Sequence, residues 1–423
     1  MAGKAEDESC GGVTAEDDNA ARRRFECCAA ERGIAGHALG TQRGRAGQAA
    51  RIRHAYGGDF ASAAESVDIG PAARWRLRGA SLGQPMTVSE DFATLTGRFR
   101  GELLAHCYRM LGSAEEAEDL VQETYLRAWR SYDGFEGRSS VRTWLYRIAT
   151  NVCLTAIERR GRRPLPSGLG APAESSEVPL VAAPEVPWLQ PFADALLAGA
   201  GEDPAAVTVS RAGIRLAFVA ALQYLSARQR AVLILRDVLE WPAAEVADLL
   251  GTTTTAVNSA LRRARAQLAQ ALPAEDELAE PAEPERRAVL DRFAAAIENA
   301  DASALAELLT EDAVLEMPPV LAWFAGRQAV TSVTESNLLT APGRLRLVRV
   351  MANGQPALAI YQLEPDGAYH AHAVLMPKVT RTGIARMVSF VNPELFGMFG
   401  LPQKYRPVDL MPARDPGISL WAG

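Results

Sequence analysis

The spacing of hydrophobic and polar residues changes in character along the chain. Residues 1–86 contain few aliphatic side chains and show no sustained periodicity. This predicts a disordered tail, or an assigned start that lies upstream of a true start at Met86. From Phe92 to Met110 apolar residues recur at helical spacing, and further helical patterns follow. Residues 87–163 are therefore predicted to form an all-helical domain.

A second helical region follows after a change of composition. Residues 164–207 are dense in proline, alanine, glycine and glutamate, which is typical of a flexible linker. One island within it, Trp188-Leu189-Gln190-Pro191-Phe192, carries two aromatic rings and is predicted to dock against a folded part of the chain. Helical periodicity resumes and predicts a second all-helical domain over residues 208–271.

Short polar residues mark the starts of several helices. Ser113 and Glu116 have the spacing of a capping box. Thr253 can cap a basic helix, which follows a shorter helix that ends at Gly251. Two helices joined by a tight glycine turn, the second of them basic, are typical of a helix-turn-helix.

The last part of the chain has a different texture. An acidic, proline-containing linker over 272–285 leads into two predicted helices, and these are followed by runs of strand character separated by glycine turns. The predicted helices are 286–299 and 302–309, and the predicted strands are 313–317, 344–351, 357–363, 369–376 and 384–391. Helices followed by antiparallel strands predict a separate α+β domain over 286–412.

Charge and cysteine content restrict the function. The 423 residues carry a formal net charge of −6, whereas a protein that binds DNA by itself is usually basic. The chain is therefore predicted to meet DNA through a local basic face, or together with a larger partner. Five cysteines form neither a metal-ligand spacing nor a disulfide framework, so no metal or other cofactor is predicted. Without a long apolar run or a signal pattern, the expected location is cytoplasmic.

Two strings of residues carry a family resemblance. They are Ala117-Glu118-Asp119-Leu120-Val121-Gln122-Glu123-Thr124, and the run from Phe135 to Asn151 that contains Phe135-Glu136-Gly137-Arg138-Ser139-Ser140. The first helical domain resembles the promoter-melting domain of the sigma-70 superfamily, and the resemblance extends over about 87–268. A third promoter domain is missing, as in the compact extracytoplasmic-function group. The resemblance implies a factor that binds core RNA polymerase and promoter DNA.

The resemblance also implies which helix contacts polymerase. In the family, the helix with this first string docks on the clamp helices of the polymerase. The residues predicted to bind are Asp119, Leu120, Gln122 and Glu123. The alternative is that these are ordinary solvated charges, with Glu123 paired to Arg127 four residues later.

The loop and third helix resemble the reader of the minus-ten promoter element. Such reading requires single-stranded DNA, because a base must leave the stack before a pocket can hold its edge. The candidate residues are Phe135, Gly137, Ser139, Ser140, Arg142, Trp144, Arg147 and Asn151. For Trp144 the alternative is a core position, while the amide of Asn151 is suited to a base edge.

The helix-turn-helix resembles the reader of the minus-thirty-five element. Five residues project away from the predicted core face of its second helix: Thr254, Thr255, Asn258, Ser259 and Arg262. Arginine on guanine and asparagine on adenine are the natural major-groove pairs, whereas Arg263 and Arg265 are predicted to hold phosphates. Ala256 stands where the family usually has a threonine. The alternative is that these arginines are merely solvated.

The C-terminal domain resembles the SnoaL-like, or polyketide-cyclase-like, cone fold over about 286–395. The whole chain thus resembles the sigma subgroup with this extension, and two short motifs support this: Trp188, Leu189, Gln190 and Pro191, and then Asn392, Pro393, Glu394 and Leu395. The subgroup implies regulation in cis, without a separate anti-sigma factor, and leaves open a small-molecule ligand in the domain. The candidates for catalysis are Asp312, Glu316, His370 and His372, but no acid–base pair or zinc set is identifiable among them. The alternatives are a ligand-responsive DNA-binding regulator, a bifunctional protein with an enzymatic C-terminal domain, and a repressor that uses only the helix-turn-helix.

Overall fold

A computed structural model describes residues 87–135, 137, 139–197, 213–271 and 282–406. The predicted tail and the predicted start at Met86 lie outside the described residues, and so does most of the second predicted linker. Among the described residues, no helix combines the length and the apolar character that a membrane crossing requires.

The first helical domain contains four helices: α1 Thr87–Gly97, α2 Arg100–Leu111, α3 Ala114–Arg130 and α4 Val141–Arg160. The apolar run predicted from Phe92 to Met110 is thus broken into two helices after Gly97, a residue with low helix propensity. Ser113 and Ser140 cap α3 and α4, since their hydroxyls accept hydrogen bonds from Glu116 N and Thr143 N.

The predicted capping box at the start of α3 is only half formed. The Ser113 hydroxyl accepts its amide, but the Glu116 carboxylate pairs with Arg163 at 2.7 Å and also with Arg160. The side chain that was expected to close the cap instead ties the start of α3 to the end of α4.

Within residues 213–271, the second helical domain also has four helices. They are α5 Leu216–Leu222, α6 Ala227–Leu233, α7 Ala243–Leu249 and α8 Thr254–Ala271, and α6 continues into a π-helical turn over Ile234–Val238. A complete capping box, Ser226 with Gln229, starts α6. As predicted, Thr253 caps α8, because its hydroxyl accepts from Ala256 N at 3.2 Å.

The C-terminal domain is an α+β unit with a seven-stranded sheet. Its helices are α9 Glu283–Glu298, α10 Ala302–Leu308 and α11 Arg327–Asn337, and its strands are β1 Leu309–Glu316, β2 Trp323–Ala325, β3 Leu345–Ala352, β4 Gln355–Leu363, β5 Tyr369–Thr380, β6 Gly383–Phe390 and β7 Lys404–Tyr405. The strand order is β2-β1-β6-β5-β4-β3, with β7 beside β5. The β1–β6 pair is parallel, and the other pairs are antiparallel. β2, α11 and β7 were not predicted from the sequence.

Both faces of this sheet are buried, against different parts of the chain. Leu358, Leu375 and Met387 belong to a core shared with α9, α10 and α11. Their neighbours on the opposite face, such as Ala359 and Val388, belong to a core shared with both helical domains. The sheet therefore packs against the two helical domains on one face and against the helices of its own domain on the other.

The expectation of a flexible spacer over 164–207 does not hold for its described part, residues 164–197, here called the connecting segment. Main-chain bonds of 2.8 Å join Ala173 N to Trp323 O and Ala183 N to Pro319 O. The indole of Trp323 donates to Gly170 O at 2.9 Å. The partners lie more than a hundred residues further along the chain, so composition alone could not reveal this order.

Candidate nucleic-acid and polymerase interface

The predicted polymerase face lies on the outer side of α3. Asp119 and Gln122 are exposed, and Leu120 and Glu123 are half-buried. Glu123 accepts from Arg127 at 2.7 Å, which is the local pair considered in the sequence analysis. Sequence reasoning missed Leu126, which is 50% exposed one helical turn beyond Gln122 and Glu123. Its exposure adds an apolar group to a polar face, a mixture typical of protein interfaces.

Trp129 lies at the margin of the apolar face of α3. The ring packs edge-on against Phe92, with centroids 5.2 Å apart, yet the residue is 44% exposed. Its position three residues beyond Leu126 places a large apolar ring on the border of the same surface.

The loop before α4 presents the small polar residues predicted to read the minus-ten element. Gly137 and Ser139 are exposed, and Gly137 has a φ of 67°, a conformation that favours glycine. Ser140 is exposed as well, but its hydroxyl is engaged in capping α4. The rings of Phe135 and Trp144 pack at a tilt of 32°, with centroids 4.7 Å apart, and both are half-buried. This pair forms an aromatic wall next to the loop.

Three further candidates on α4 have different surroundings. Arg142 Nε donates to Oε2 of the buried Glu102 at 2.7 Å. This ion pair holds α4 against α2. Arg147 forms an ion pair with Asp248 of the second helical domain. Asn151 is exposed, and its side chain points away from the domain core.

The predicted minus-thirty-five reader forms one exposed surface on α8. Val257, Leu261 and Ala264 are buried, as predicted for its core face. Five of the candidates are exposed and one, Ser259, is half-buried; the exposed ones are Thr254, Thr255, Asn258, Arg262 and Arg263. Arg265 was predicted to bind a phosphate of DNA. In the structure it donates two hydrogen bonds to the Asp237 carboxylate, at 2.7 and 2.9 Å.

The two helical domains pack directly against each other. Arg230 is 1% exposed and donates to Met110 O at the end of α2, as well as to Gln223 Oε1 at 3.0 Å. Burial lowers the pKa of Arg230 to about 10. The rings of Tyr146 and Trp241 lie 5.4 Å apart, close to the Arg147–Asp248 pair. One side of α4, which carries Tyr146 and Arg147, therefore faces the second helical domain.

The apolar island of the connecting segment docks as predicted. Trp188, Leu189 and Phe192 are buried, and Pro191 is buried beside them. Gln190 N donates to Gly112 O at 2.9 Å, between α2 and α3. Gly112 has a φ of 73°, and a Cβ there would lie 2.7 Å from Leu189 Cδ1. Only glycine satisfies both demands, so the close approach of the island depends on it.

The side chain of Asn353, in the C-terminal domain, forms hydrogen bonds to three other parts of the chain. Asn353, in the β3–β4 turn, is fully buried and has a φ of 54°. Its amide nitrogen donates to Tyr108 Oη at 2.7 Å and to Ile214 O at 2.6 Å, and its amide oxygen accepts from Phe192 N at 2.9 Å. Asn353 thus links α2, the connecting segment and the start of the second helical domain.

The second predicted motif lies at the same interface. Asn392 caps the short 3₁₀ turn Pro393–Phe399, since its side chain accepts from Glu394 N at 2.9 Å. Leu395 is buried in the core shared with the helical domains, whereas Pro393 is exposed. This turn contacts another short turn, Asp194–Leu197 of the connecting segment.

The four residues considered for catalysis are not brought together. Glu316 is fully buried, accepts from Ser167 N at 2.8 Å and pairs with Arg386. His370 contacts Asp366 at 3.0 Å near β7. Burial lowers the pKa of His372. Asp312 is exposed on β1. Among the described residues, no cluster of three or more His, Cys, Asp or Glu could hold a metal ion.

Comparison with known families assigns three parts of the chain. Sigma-70 region 2 matches residues 95–163, sigma-70 region 4 matches 215–268, and the SnoaL-like domain matches 290–390.

The ECF RNA polymerase sigma factor SigG of Mycobacterium tuberculosis is 51% identical over 316 residues, covering 74% of this chain and 84% of the relative. The crystal structure of M. tuberculosis SigJ, an extracytoplasmic function sigma factor, is 24% identical, with a TM-score of 0.47, and covers 74% of this chain and all of that one. The sigma factor RpoE of Bartonella quintana, solved in complex with the anti-sigma factor NepR, is 24% identical, with a TM-score of 0.27, and covers 44% of this chain and 98% of that one.

Two helical domains of the sigma-70 type followed by a SnoaL-like α+β domain define a transcription initiation factor. The chain belongs to the extracytoplasmic-function sigma factors of RNA polymerase. The predicted family and fold class are confirmed, and the protein directs transcription by RNA polymerase at promoters. The alternatives of a ligand-responsive DNA-binding regulator or a bifunctional protein with an enzymatic C-terminal domain are not favoured.

Proposed function

We propose that this structure is a closed form of the sigma factor, in which the SnoaL-like domain regulates promoter recognition in cis. The observation that carries this proposal is Asn353, whose side chain bonds to Tyr108, Phe192 and Ile214. A single turn of the SnoaL-like domain thereby fastens both helical domains and the segment between them.

The packing of the two helical domains against each other supports a closed state. The minus-ten and minus-thirty-five elements are separated by about 25 base pairs, or roughly 85 Å at about 3.4 Å per base pair. Tyr146 and Trp241 are only 5.4 Å apart, and Arg147 pairs with Asp248. Because directly packed domains cannot span that distance, promoter binding requires their separation.

The residue assignments from the sequence form part of this proposal. In the open state, α3 would bind polymerase through Asp119, Leu120, Gln122 and Glu123, and Leu126 adds an apolar contact. Asn151 and the loop before α4 would read the minus-ten strand, and Arg147 would join them once released from Asp248. The exposed side of α8 would read the minus-thirty-five element through Asn258 and Arg262.

Regulation rather than catalysis is the role proposed for the SnoaL-like domain. Glu316, the most buried of the four residues considered for catalysis, is engaged by Arg386 and Ser167. We further propose that the protein acts in the cytoplasm with core polymerase. The contacts in cis support regulation without a separate anti-sigma factor, although RpoE was solved with NepR. The domain limits 87–163, 208–271 and 286–412 remain part of the proposal.

The test is run-off transcription with purified core polymerase, comparing the full chain with Asn353→Gly. This substitution keeps a residue suited to positive φ and removes only the side-chain bonds. We expect both proteins to initiate, with the variant giving more transcript at limiting concentration. Equal output across a concentration series would refute regulation in cis. Failure of both proteins to initiate would refute the proposed readers.

A further inference from the structure

A cavity of about 190 Å³ lies where the three folded parts meet. Its wall includes the residues that directly follow α4, the helix α5 and its end, the start of α9, and strands β4, β5 and β6. No single domain encloses it. The cavity therefore exists in this form only while the domains are packed together.

The charge of the cavity wall has one sign. Six lining residues are cationic and, within the described part of the chain, none of the lining residues is acidic: the cations are Arg162, Arg163, Arg215, Arg286, Lys378 and Arg386. Three of them have carboxylate partners behind the wall, since Arg163 pairs with Glu116, Arg286 with Glu283, and Arg386 with Glu316. The wall itself thus presents guanidinium and ammonium groups, and the carboxylates that pair with these three cations are not among its lining residues.

Two of these cations are direct neighbours on adjacent strands of the sheet. Lys378 on β5 is directly opposite Arg386 on β6 in the strand register. Like charges at opposed positions are normally destabilising. The next pair on this side of the same two strands, Met376 and Val388, is apolar and also lines the cavity. Here Glu316 pairs with Arg386 and offsets its charge, so both cations can line one side of the sheet beside an apolar floor, where they offer hydrogen-bond donors to an anion.

The rest of the wall is suited to an apolar body. Leu165, Leu216, Met376 and Val379 contribute apolar surface. The ring of Tyr224 lies beneath the guanidinium of Arg162, at 5.2 Å from its centroid. A cavity of about 150 Å³ accommodates benzene, so this one has room for a ring of that size with a small charged group.

We propose that this cavity binds a small organic anion, a phosphate or carboxylate on a compact apolar body, and that the ligand holds the sigma factor closed. The statement that the ligand holds the factor closed rests on the proposed function. The wall draws residues from all three folded parts, so a ligand that fills it has more contacts in the closed form than in any open one. Preferential binding to one form shifts the equilibrium towards that form.

The binding test uses the full chain with phenyl phosphate as the probe. Phenylacetate distinguishes a carboxylate from a phosphate, inorganic phosphate tests the charge alone, and phenol tests the apolar body alone. We expect phenyl phosphate or phenylacetate to raise the melting temperature, with smaller shifts from phosphate and phenol. Calorimetric titration should then give a saturable isotherm. The absence of binding by both organic anions would overturn the proposal.

The site is tested by Arg215→Gln with Lys378→Gln, measured beside Arg228→Gln with Arg381→Gln. The control pair removes two exposed cations from the same two domains, outside the cavity. We expect the cavity variant to bind at least tenfold more weakly and the control to bind like the wild type. Equal affinity in the two variants would refute this location. If the double variant does not fold, Lys378→Gln alone is titrated with the same criterion.

Coupling to transcription has its own readout. The bound anion should lower run-off transcription by the wild type and have less effect on Asn353→Gly, whose closed form is weakened. Binding without any change in transcription would overturn the regulatory half and leave the site standing. Equal transcription by the wild type and Asn353→Gly without ligand would instead count against the proposed function.

Discussion

The side-chain amide of Asn353 donates a hydrogen bond to the phenol of Tyr108 at 2.7 Å, although the two residues are 245 positions apart. Tyr108 lies on α2 of the domain that matches sigma-70 region 2, and Asn353 forms the tip of a hairpin in the SnoaL-like domain. The phenol in turn donates to Gln190 O at 2.9 Å. A turn residue and a core tyrosine thus connect regions that match separate domain families.

The first prediction concerns the stability of this junction. Asn353→Gly removes the side-chain partner of the Phe192 amide and of the Ile214 carbonyl, whereas the Tyr108 hydroxyl still donates to Gln190 O. Each unsatisfied buried group costs about 1–3 kcal/mol. We expect the free energy of unfolding to fall by about 2–4 kcal/mol in denaturant titrations. In a double-mutant cycle with Tyr108→Phe, the coupling should be about 0.5–3 kcal/mol. Strictly additive effects would show that the two side chains do not interact.

The second prediction separates a regulatory ion pair from a stabilising one. Asp248 is an exposed partner of Arg147, and exposed pairs contribute at most about 1 kcal/mol. Asp248→Asn should therefore leave the melting temperature nearly unchanged. Because Arg147 is released, transcription at limiting concentration should rise about two- to fivefold.

The matched control for this variant is Glu311→Gln, which breaks another exposed pair, with Arg327 at 2.8 Å. That pair lies within the SnoaL-like domain. We expect no change in transcription from it. An equal gain from both substitutions would indicate a general charge effect rather than release of the reader.

The third prediction distinguishes two neighbouring arginines on α8. If Arg262 binds a guanine edge, Arg262→Ala should cost about 1–3 kcal/mol at one position of the minus-thirty-five element and relax the preference there. If Arg263 binds phosphate, Arg263→Ala should weaken all promoters similarly and reduce the salt dependence. The measurement is transcription from a set of single-base promoter variants. The same pattern from both substitutions would contradict these roles.

The fourth prediction concerns pH. Burial lowers the pKa of His106 to about 3, with a smaller contribution from Arg109. Its imidazole is fully buried and bonded to Thr150 Oγ1 at 3.0 Å. The folded form therefore binds a proton on His106 less readily than the unfolded form does. The contribution of His106 to the free energy of unfolding is complete above the usual pKa of about 6.5 and declines as the pH falls towards 3.

The measurement is the free energy of unfolding at pH 7 and pH 5 for the wild type and His106→Gln. With a slope of about 1.4 kcal/mol per pH unit, the wild type should lose about 2 kcal/mol more than the variant between these values. Other titrating groups are common to both proteins and cancel in the difference. Parallel pH profiles would show that His106 does not titrate in this way.

Sequence alone predicted the local architecture well, because helix caps and periodicity are local signals. Ser113 and Thr253 cap the helices that they were expected to cap, and Val257 and Leu261 form the expected core face of α8. The family resemblance rested on contiguous strings of the same kind.

The long-range contacts were not predictable in this way. The role of Asn353 was not predicted, since nothing in the local sequence indicates its three distant partners. The order of the connecting segment arises from contacts such as Ala173 N to Trp323 O, which composition does not encode. One signal was available: β4 and β5 are apolar on successive residues, as at Leu358 and Ala359, and such runs indicate a sheet that is covered on both faces.

The most direct test of the closed form is the distance between the two readers. Fluorescent amino acids can be incorporated at Thr155 on α4 and Ala266 on α8, both of which are exposed, and energy transfer measured with and without core polymerase and promoter DNA. We predict high transfer in the free protein and a loss of transfer in the promoter complex, as the readers separate towards roughly 85 Å, about 25 base pairs at about 3.4 Å each. Low transfer in the free protein, or the same transfer in both states, would contradict the closed form.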